Sequence, residues 1–176
     1  DARLRSEKDS VFKSLPSGYE VRLPNEKQWE RAARATGMGE ADFHTDRWPY
    51  GATEETLKDF ANVDGTGIER VSRVGVFPPT AIGLADIVGN AWQWMDNEYL
   101  TRTDDAFPAV TEDAERAARN APSTHPMSLR GGSWFNRPGL ASCSFCLGDH
   151  PVSWDLPVGF RVVLSRAKKR SVTLEP

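Results

Sequence analysis

One feature constrains this chain more than any other: a frame near the C-terminus with an aperiodic stretch inside it. LRGGSW (129–134) opens the frame, GFRVV (159–163) closes it, and FNRPGLASCSFCLGDHPVSWDLPV lies between. The borders read as scaffold. Gly131 and Gly132 allow a backbone turn that a Cβ would obstruct, and Trp134 offers a large core anchor. In GFRVV, Phe160 and Val162 fall on one face of an extended strand and Arg161 on the other. The enclosed residues follow neither a helical nor an alternating period, and Pro138, Pro151 and Pro157 punctuate them. Mixed aromatic, aliphatic, charged and small side chains in such a loop suit a contact surface better than a catalytic site.

The rest of the chain carries ordinary globular chemistry. At 176 residues it is read as one domain, residues 1–176, with 135–158 as an insert inside it. Lys plus Arg number 22 against 25 Asp plus Glu, a net charge of −3 that lacks the phosphate-neutralising surplus of a nucleic-acid binder. The basic run RAKKR (166–170) reads as a solvated tail. No apolar run approaches a membrane-spanning length, so membrane insertion is not expected. Two cysteines are too few for a disulfide framework and leave the compartment open.

Local signals place the elements. The first fourteen residues have a helical stripe (Leu4, Val11, Leu15) stopped by Pro16–Ser17–Gly18. VRLP (21–24) is a short extended segment. Asn25 caps the strongest helix, Gln28 completes a capping box, Trp29, Ala32 and Ala33 form its apolar face, and Gly37 is its stop. Glu30 and Arg34 are spaced for an exposed ion pair. Residues 38–80 are mostly turns. IGLADIVGNAWQWMDNEY (82–99) reads as a Gly–Asn turn leading into a buried strand that carries Trp92 and Trp94, and Thr111–Asn120 as a short helix. The sum is an α+β fold with short helices, a small mixed antiparallel sheet and much ordered loop.

RLPNEKQWERAAR (22–34), WPYG (48–51), ANV (61–63), FPPTAIGLADIVGNAWQW (77–94), LRGGSW and GFRVV together resemble the formylglycine-generating, sulfatase-modifying type of C-type lectin fold. The family usually carries a further N-terminal segment, so the resemblance implies a fragment or a shortened member. Its copper-binding cysteines would fall on Ser133 and Pro138, neither of which can supply a thiolate. Cys143 and Cys146 lie elsewhere and are spaced differently. The family's oxidative chemistry is therefore not expected, and the chain is expected not to be an enzyme.

A second branch that the chain resembles comprises the variable proteins of diversity-generating retroelements, in which codons between the same two landmarks are rewritten. That resemblance implies a ligand-binding surface on a rigid scaffold. Its candidate contacts are Phe135, Asn136, Arg137, Gly139, Leu140, Ser142, Ser144, Phe145, Leu147, Asp149, His150, Ser153, Trp154, Asp155 and Leu156. Arg130, Trp134, Phe160 and Arg161 would hold the frame. The expected ligand is a macromolecule, a protein in preference to a small molecule. An oxidative enzyme using copper or iron, and a lectin-like module with a fixed partner, are the alternatives.

The resemblance also implies a weak calcium site: the Asp86 side chain, the Gly89 and Ala91 carbonyls, and Gln93 where the family can place a carboxylate. A second site would use Asn62 and the Val63 carbonyl, but Thr66 stands where its acid is expected and Asp64 is only nearby. Cys143-x-x-Cys146 has zinc and redox spacing but no second cysteine pair and no βαβ setting. His44, His125 and His150 fall in turn-rich segments outside any known catalytic arrangement.

Overall fold

A computed structural model describes residues 15–37, 46–99, 125–151 and 156–167. The expected helices at 1–14 and 111–120 lie outside the described residues, as do His44, Ser153, Trp154 and Asp155. The chain divides into two compact units, one formed by residues up to Arg22 and from Val162 onward, the other by Leu23–Arg161.

In the first unit, β1 (Tyr19–Arg22) and β6 (Val163–Arg166) make an antiparallel ribbon, with Val21 opposite Leu164. The second unit holds a four-stranded sheet in the order β4-β3-β2-β5. Its strands are β2 (Trp92–Glu98), β3 (Met127–Arg130), β4 (Cys146–Asp149) and β5 (Val158–Gly159). β3 is antiparallel to both β2 and β4, and β5 runs parallel to β2. The expected GFRVV strand is thus two pieces: Gly159 ends β5, Val163 opens β6, and 160–162 belong to neither.

Helix α1 (Glu26–Ala33) forms where its capping chemistry lies. The Asn25 side chain accepts from the Gln28 N–H (2.9 Å) while the Gln28 side chain accepts from the Asn25 N–H (3.1 Å). Trp29 and Ala33 are its buried face. They join Leu57, Val63, Ile87, Val88 and Met95 in the core. The helix ends at Ala33, before the expected Gly37, because Arg34 turns out of it with its N–H still bonded to Glu30 and Ala32 carbonyls.

The Gly–Asn turn ahead of β2 is present. Gly89 (φ 75°) and Asn90 (φ 65°) are both left-handed, a conformation glycine adopts freely and asparagine tolerates. A Cβ on Gly89 would sit 2.5 Å from the Asn62 carbonyl oxygen. The Asn90 side chain then ties the turn to a remote loop, accepting from the Ser72 N–H at 2.8 Å. Gly132 behaves as its neighbours demand: φ is 71° and a Cβ would lie 2.9 Å from Ala141.

Candidate functional site

The insert leaves β3 at Gly131, winds through a short turn at Pro138–Leu140, returns as edge strand β4, and rejoins the sheet at β5. The scaffold grips it chiefly by its main chain. Arg130 Nη1 donates to the carbonyls of Cys143 (3.1 Å) and Phe145 (3.4 Å). Trp48 Nε1 donates to the Pro138 carbonyl (2.8 Å), and the Cys143 N–H donates to the Arg47 carbonyl (2.8 Å). The Asp64 N–H donates to the Asn136 carbonyl (3.1 Å), and the Trp92 N–H to that of Pro157 (2.9 Å). None of these bonds depends on which side chain the insert residue carries.

Arg130 is the centre of this grip. Its side chain is 1% exposed, yet it meets Glu26 at 2.8 Å and Glu30 at 3.2 Å and lies over the Trp29 ring. A buried guanidinium is tolerable only with such compensation. Burial alone would raise the Glu26 pKa, but the Ser128 hydroxyl, the Arg130 charge and the Asn97 amide outweigh it and hold the carboxyl below its ordinary value.

The candidate contact residues divide by exposure. Phe135, Arg137, Ser144 and His150 are exposed, with Phe135 set edge-on against Trp134 at 5.4 Å. Gly139, Leu140, Phe145, Leu147, Asp149 and Leu156 are half-buried, Phe145 lying 6.1 Å from the Trp92 ring. Two expectations are corrected. Asn136 is withdrawn from the surface because its Oδ1 accepts from both the N–H (2.9 Å) and the hydroxyl (2.6 Å) of Ser133. Ser142 is 2% exposed, its hydroxyl accepting from the Phe145 N–H. Both shape the loop from inside.

The frame residues also divide against expectation. Phe160 is 71% exposed and Trp134 only half-buried. The alternation in GFRVV holds, but the arginine is the member that turns inward. Arg161 donates to Gln93 Oε1 (2.5 Å) and to the carbonyls of Ala85 (3.1 Å) and Asp86 (2.9 Å). Burial lowers its pKa, opposed by the negative charge of Asp86.

That arginine decides how the expected calcium ligands fit. Gln93 Oε1 also accepts from Trp29 Nε1 (2.8 Å), and Gln93 Nε2 donates to the Asp86 and Ile87 carbonyls. The Gln93 oxygen is therefore committed to two donors, and this side chain does not fit a calcium ligand as it stands. Asp86 keeps one carboxylate oxygen on the Gly75 N–H, while Oδ1 is buried without a hydrogen-bond partner among the described residues. At the second candidate site, Asn62 donates to Arg70 and accepts from Thr66, and the Val63 carbonyl takes the Thr66 N–H. Those atoms close a turn among themselves.

The two cysteines are not joined in a disulfide. Cys143 is fully buried, and burial pushes its thiol up to about 12. A thiol held protonated in this way is a poor metal ligand or nucleophile. Among the described residues no group of three His, Cys, Asp or Glu side chains is placed to hold a metal ion.

A cleft of about 530 Å³ opens where the insert meets the scaffold. The insert supplies Gly139, Ser142, Ser144, Phe145 and Cys146 to it, and the scaffold supplies Arg34, Arg47 and Tyr99. The three scaffold residues were invisible to sequence reasoning as site residues. Arg34 enters only as the end of the 22–34 island and as the partner of Glu30, Tyr99 only as the end of the 82–99 stretch, and Arg47 stands outside both.

Among the described residues, one α-helix, curled small sheets and long ordered loops make an α+β protein of C-type lectin type. Residues 2–166 match the sulfatase-modifying factor enzyme 1-like domain, and the chain belongs to that family. It is 30% identical over 151 residues to the formylglycine-generating enzyme of Mycobacterium tuberculosis, covering 81% of this chain and 50% of that protein. It is 29% identical over 145 residues to the hercynine oxygenase of Mycolicibacterium smegmatis, covering 81% of this chain and 32% of that protein. Among solved structures it is similar to Treponema denticola variable protein 1, with a TM-score of 0.63 and 28% identity over 83% of this chain and 48% of that one. The chain thus spans about half the length of these proteins or less.

Proposed function

We propose that the chain is a non-enzymatic ligand-binding protein, with residues 135–158 forming a contact surface diversified by a retroelement on a C-type lectin scaffold. Its ligand is a macromolecule, in the first instance a protein. The observation that carries this reading is the main-chain grip on the insert: Arg130, Trp48, Arg47 and Asp64 hold carbonyl or N–H groups that every residue type but proline's missing N–H supplies. A loop anchored in this way keeps its path while its exposed side chains change. The likeness to Treponema denticola variable protein 1 supports the same reading.

The 30% identity to a formylglycine-generating enzyme favours a second reading, an oxidative enzyme. Against it stand Ser133 and Pro138 at the copper positions and the protonated, buried Cys143 thiol. A copper titration separates them: tight binding lost in a Cys143→Ser, Cys146→Ser variant would favour the enzyme. The diversification itself is tested in the flanking DNA. A near-copy of the insert's coding sequence, differing mainly at adenines and accompanied by a reverse-transcriptase gene, is expected; a complete neighbourhood lacking both removes the retroelement.

A further inference from the structure

Most polar groups at the insert are matched donor to acceptor, but the cleft between insert and scaffold holds donors in excess. Arg34 spends Nε on Glu30 (2.9 Å) and Nη1 on the Asp46 carbonyl (2.6 Å), and no hydrogen bond engages its Nη2 among the described residues. Arg47 makes one long bond, Nη2 to the Gly139 carbonyl at 3.4 Å, and rests over the Trp48 ring at 4.9 Å. Among the described residues no other hydrogen bond engages its five N–H groups. The exposed Ser144 hydroxyl stands on the same wall. Among the described residues that line the cleft there is no carboxylate to balance this. Both Glu30 oxygens are taken, one by Arg34 and one by Arg130, and Asp46 is the exposed carboxylate next along the chain to Arg47.

On the reading that the insert is the contact surface, we infer that this cleft receives a carboxylate presented by an acidic side chain of a protein ligand. A planar guanidinium matches a carboxylate with two parallel hydrogen bonds, and charge-assisted bonds are the strong ones. Tyr99 and Phe145 wall the cleft and give the methylenes of a glutamate an apolar lining. The net charge of −3 offers no long-range attraction to an anion of any kind, so recognition rests on this local geometry. Arg34 and Arg47 are scaffold residues, so the carboxylate anchor would persist while Ser144 and Phe145 change with the insert.

The test uses three probes on the intact chain: acetyl-Gly-Glu-Gly-amide, its glutamine counterpart and inorganic phosphate, each followed through the arginine Nε–H signals by NMR. The glutamate peptide should shift Arg47 saturably and the glutamine peptide should not. Arg47→Gln should weaken the glutamate peptide about tenfold, the loss expected for a charge-assisted bond, without moving the melting temperature. Equal responses to the two peptides, or none to either, overturn the inference, as does tighter binding of phosphate than of the glutamate peptide. The two readings fail separately. The peptide response is carried by Arg34 and Arg47 and should survive Ser144→Ala, Phe145→Leu. Flanking DNA without the near-copy therefore removes the diversified insert and leaves the carboxylate site, whereas peptide failure removes the carboxylate site alone.

Discussion

The insert and the turn that leads into β2 are both irregular, yet they are held in opposite ways. Residues 85–97 are fixed by specific side chains: Gln93 reads Trp29, Arg161 and two carbonyls, and Asn90 reads Ser72 and Asn62. The described insert residues, 135–151 and 156–158, are fixed mainly through backbone atoms that Arg130, Trp48 and Asp64 reach. A segment of the first kind fails when one amide is replaced. A segment of the second kind tolerates many sequences, provided the few buried side chains that shape it survive.

The largest effect should come from the hinge between the two regimes. Arg130→Met removes the donor to two insert carbonyls, leaves Glu26 without this cation and leaves Glu30 with Arg34 alone. A loss of about 3–5 kcal/mol in urea unfolding is expected, as for breaking a buried ion pair on one side. Adding Glu26→Gln and Glu30→Gln should recover part of it. If Arg130→Met costs no more than an exposed substitution, the insert is held elsewhere. The same node sets the acid limb of stability. Glu26 has its pKa lowered in the folded chain, so its contribution is present above the ordinary value of 4.5 and is lost as pH falls through the lower folded value. Glu26→Gln should flatten that limb.

An alkaline limb should follow from Cys143. Folded, its thiol is pushed up to about 12 from an ordinary 9.0, so the unfolded chain releases that proton first as pH rises. Stability should therefore fall between those two values, and Cys143→Ala should make the fall shallower. Tyr50, also pushed up to about 12 by burial, adds to the same limb. A Cys143→Ala chain with an unchanged alkaline limb would mean the thiol is open to solvent.

Much of this was readable before the structure. The capping box, the Gly–Asn turn and the Gly131–Gly132 bend are local chemistry, and each sits where its residues require. Which frame residues point inward was not readable. Alternation assigns Phe160 and Arg161 to opposite faces but cannot say which face is buried. Arg161 goes inside because the Ala85 and Asp86 carbonyls and Gln93 await a donor, a fact of tertiary contact. The same holds for Asn136 and Ser142, whose polar side chains read as surface until their intraloop partners are seen. The cleft joins Arg34, Arg47 and Tyr99 to residues about 40 to 110 positions away, beyond the reach of any local pattern.

A medium effect separates the loop's interior from its surface. Asn136→Ala strands the Ser133 N–H and hydroxyl, both buried. About 1–3 kcal/mol should be lost, the usual consequence of leaving a buried donor unmade. Thermal unfolding of the single variant measures it. A neutral result would return Asn136 to the set of freely variable contact positions.

The smallest effect is the most diagnostic. Phe135→Ser, Arg137→Ser, Ser144→Tyr and His150→Asn all fall on exposed positions of the insert. Each should change stability by no more than about 0.5 kcal/mol, the range for surface substitutions that leave no buried group unpaired. Combined in one chain, their effects should simply add, because none of the main-chain bonds at Pro138, Cys143 or Phe145 involves these side chains. A quadruple variant that unfolds cooperatively near the parent's midpoint is expected. A strongly non-additive loss would mean that the side chains cooperate in holding the loop, and the main-chain grip would no longer explain how it keeps its path.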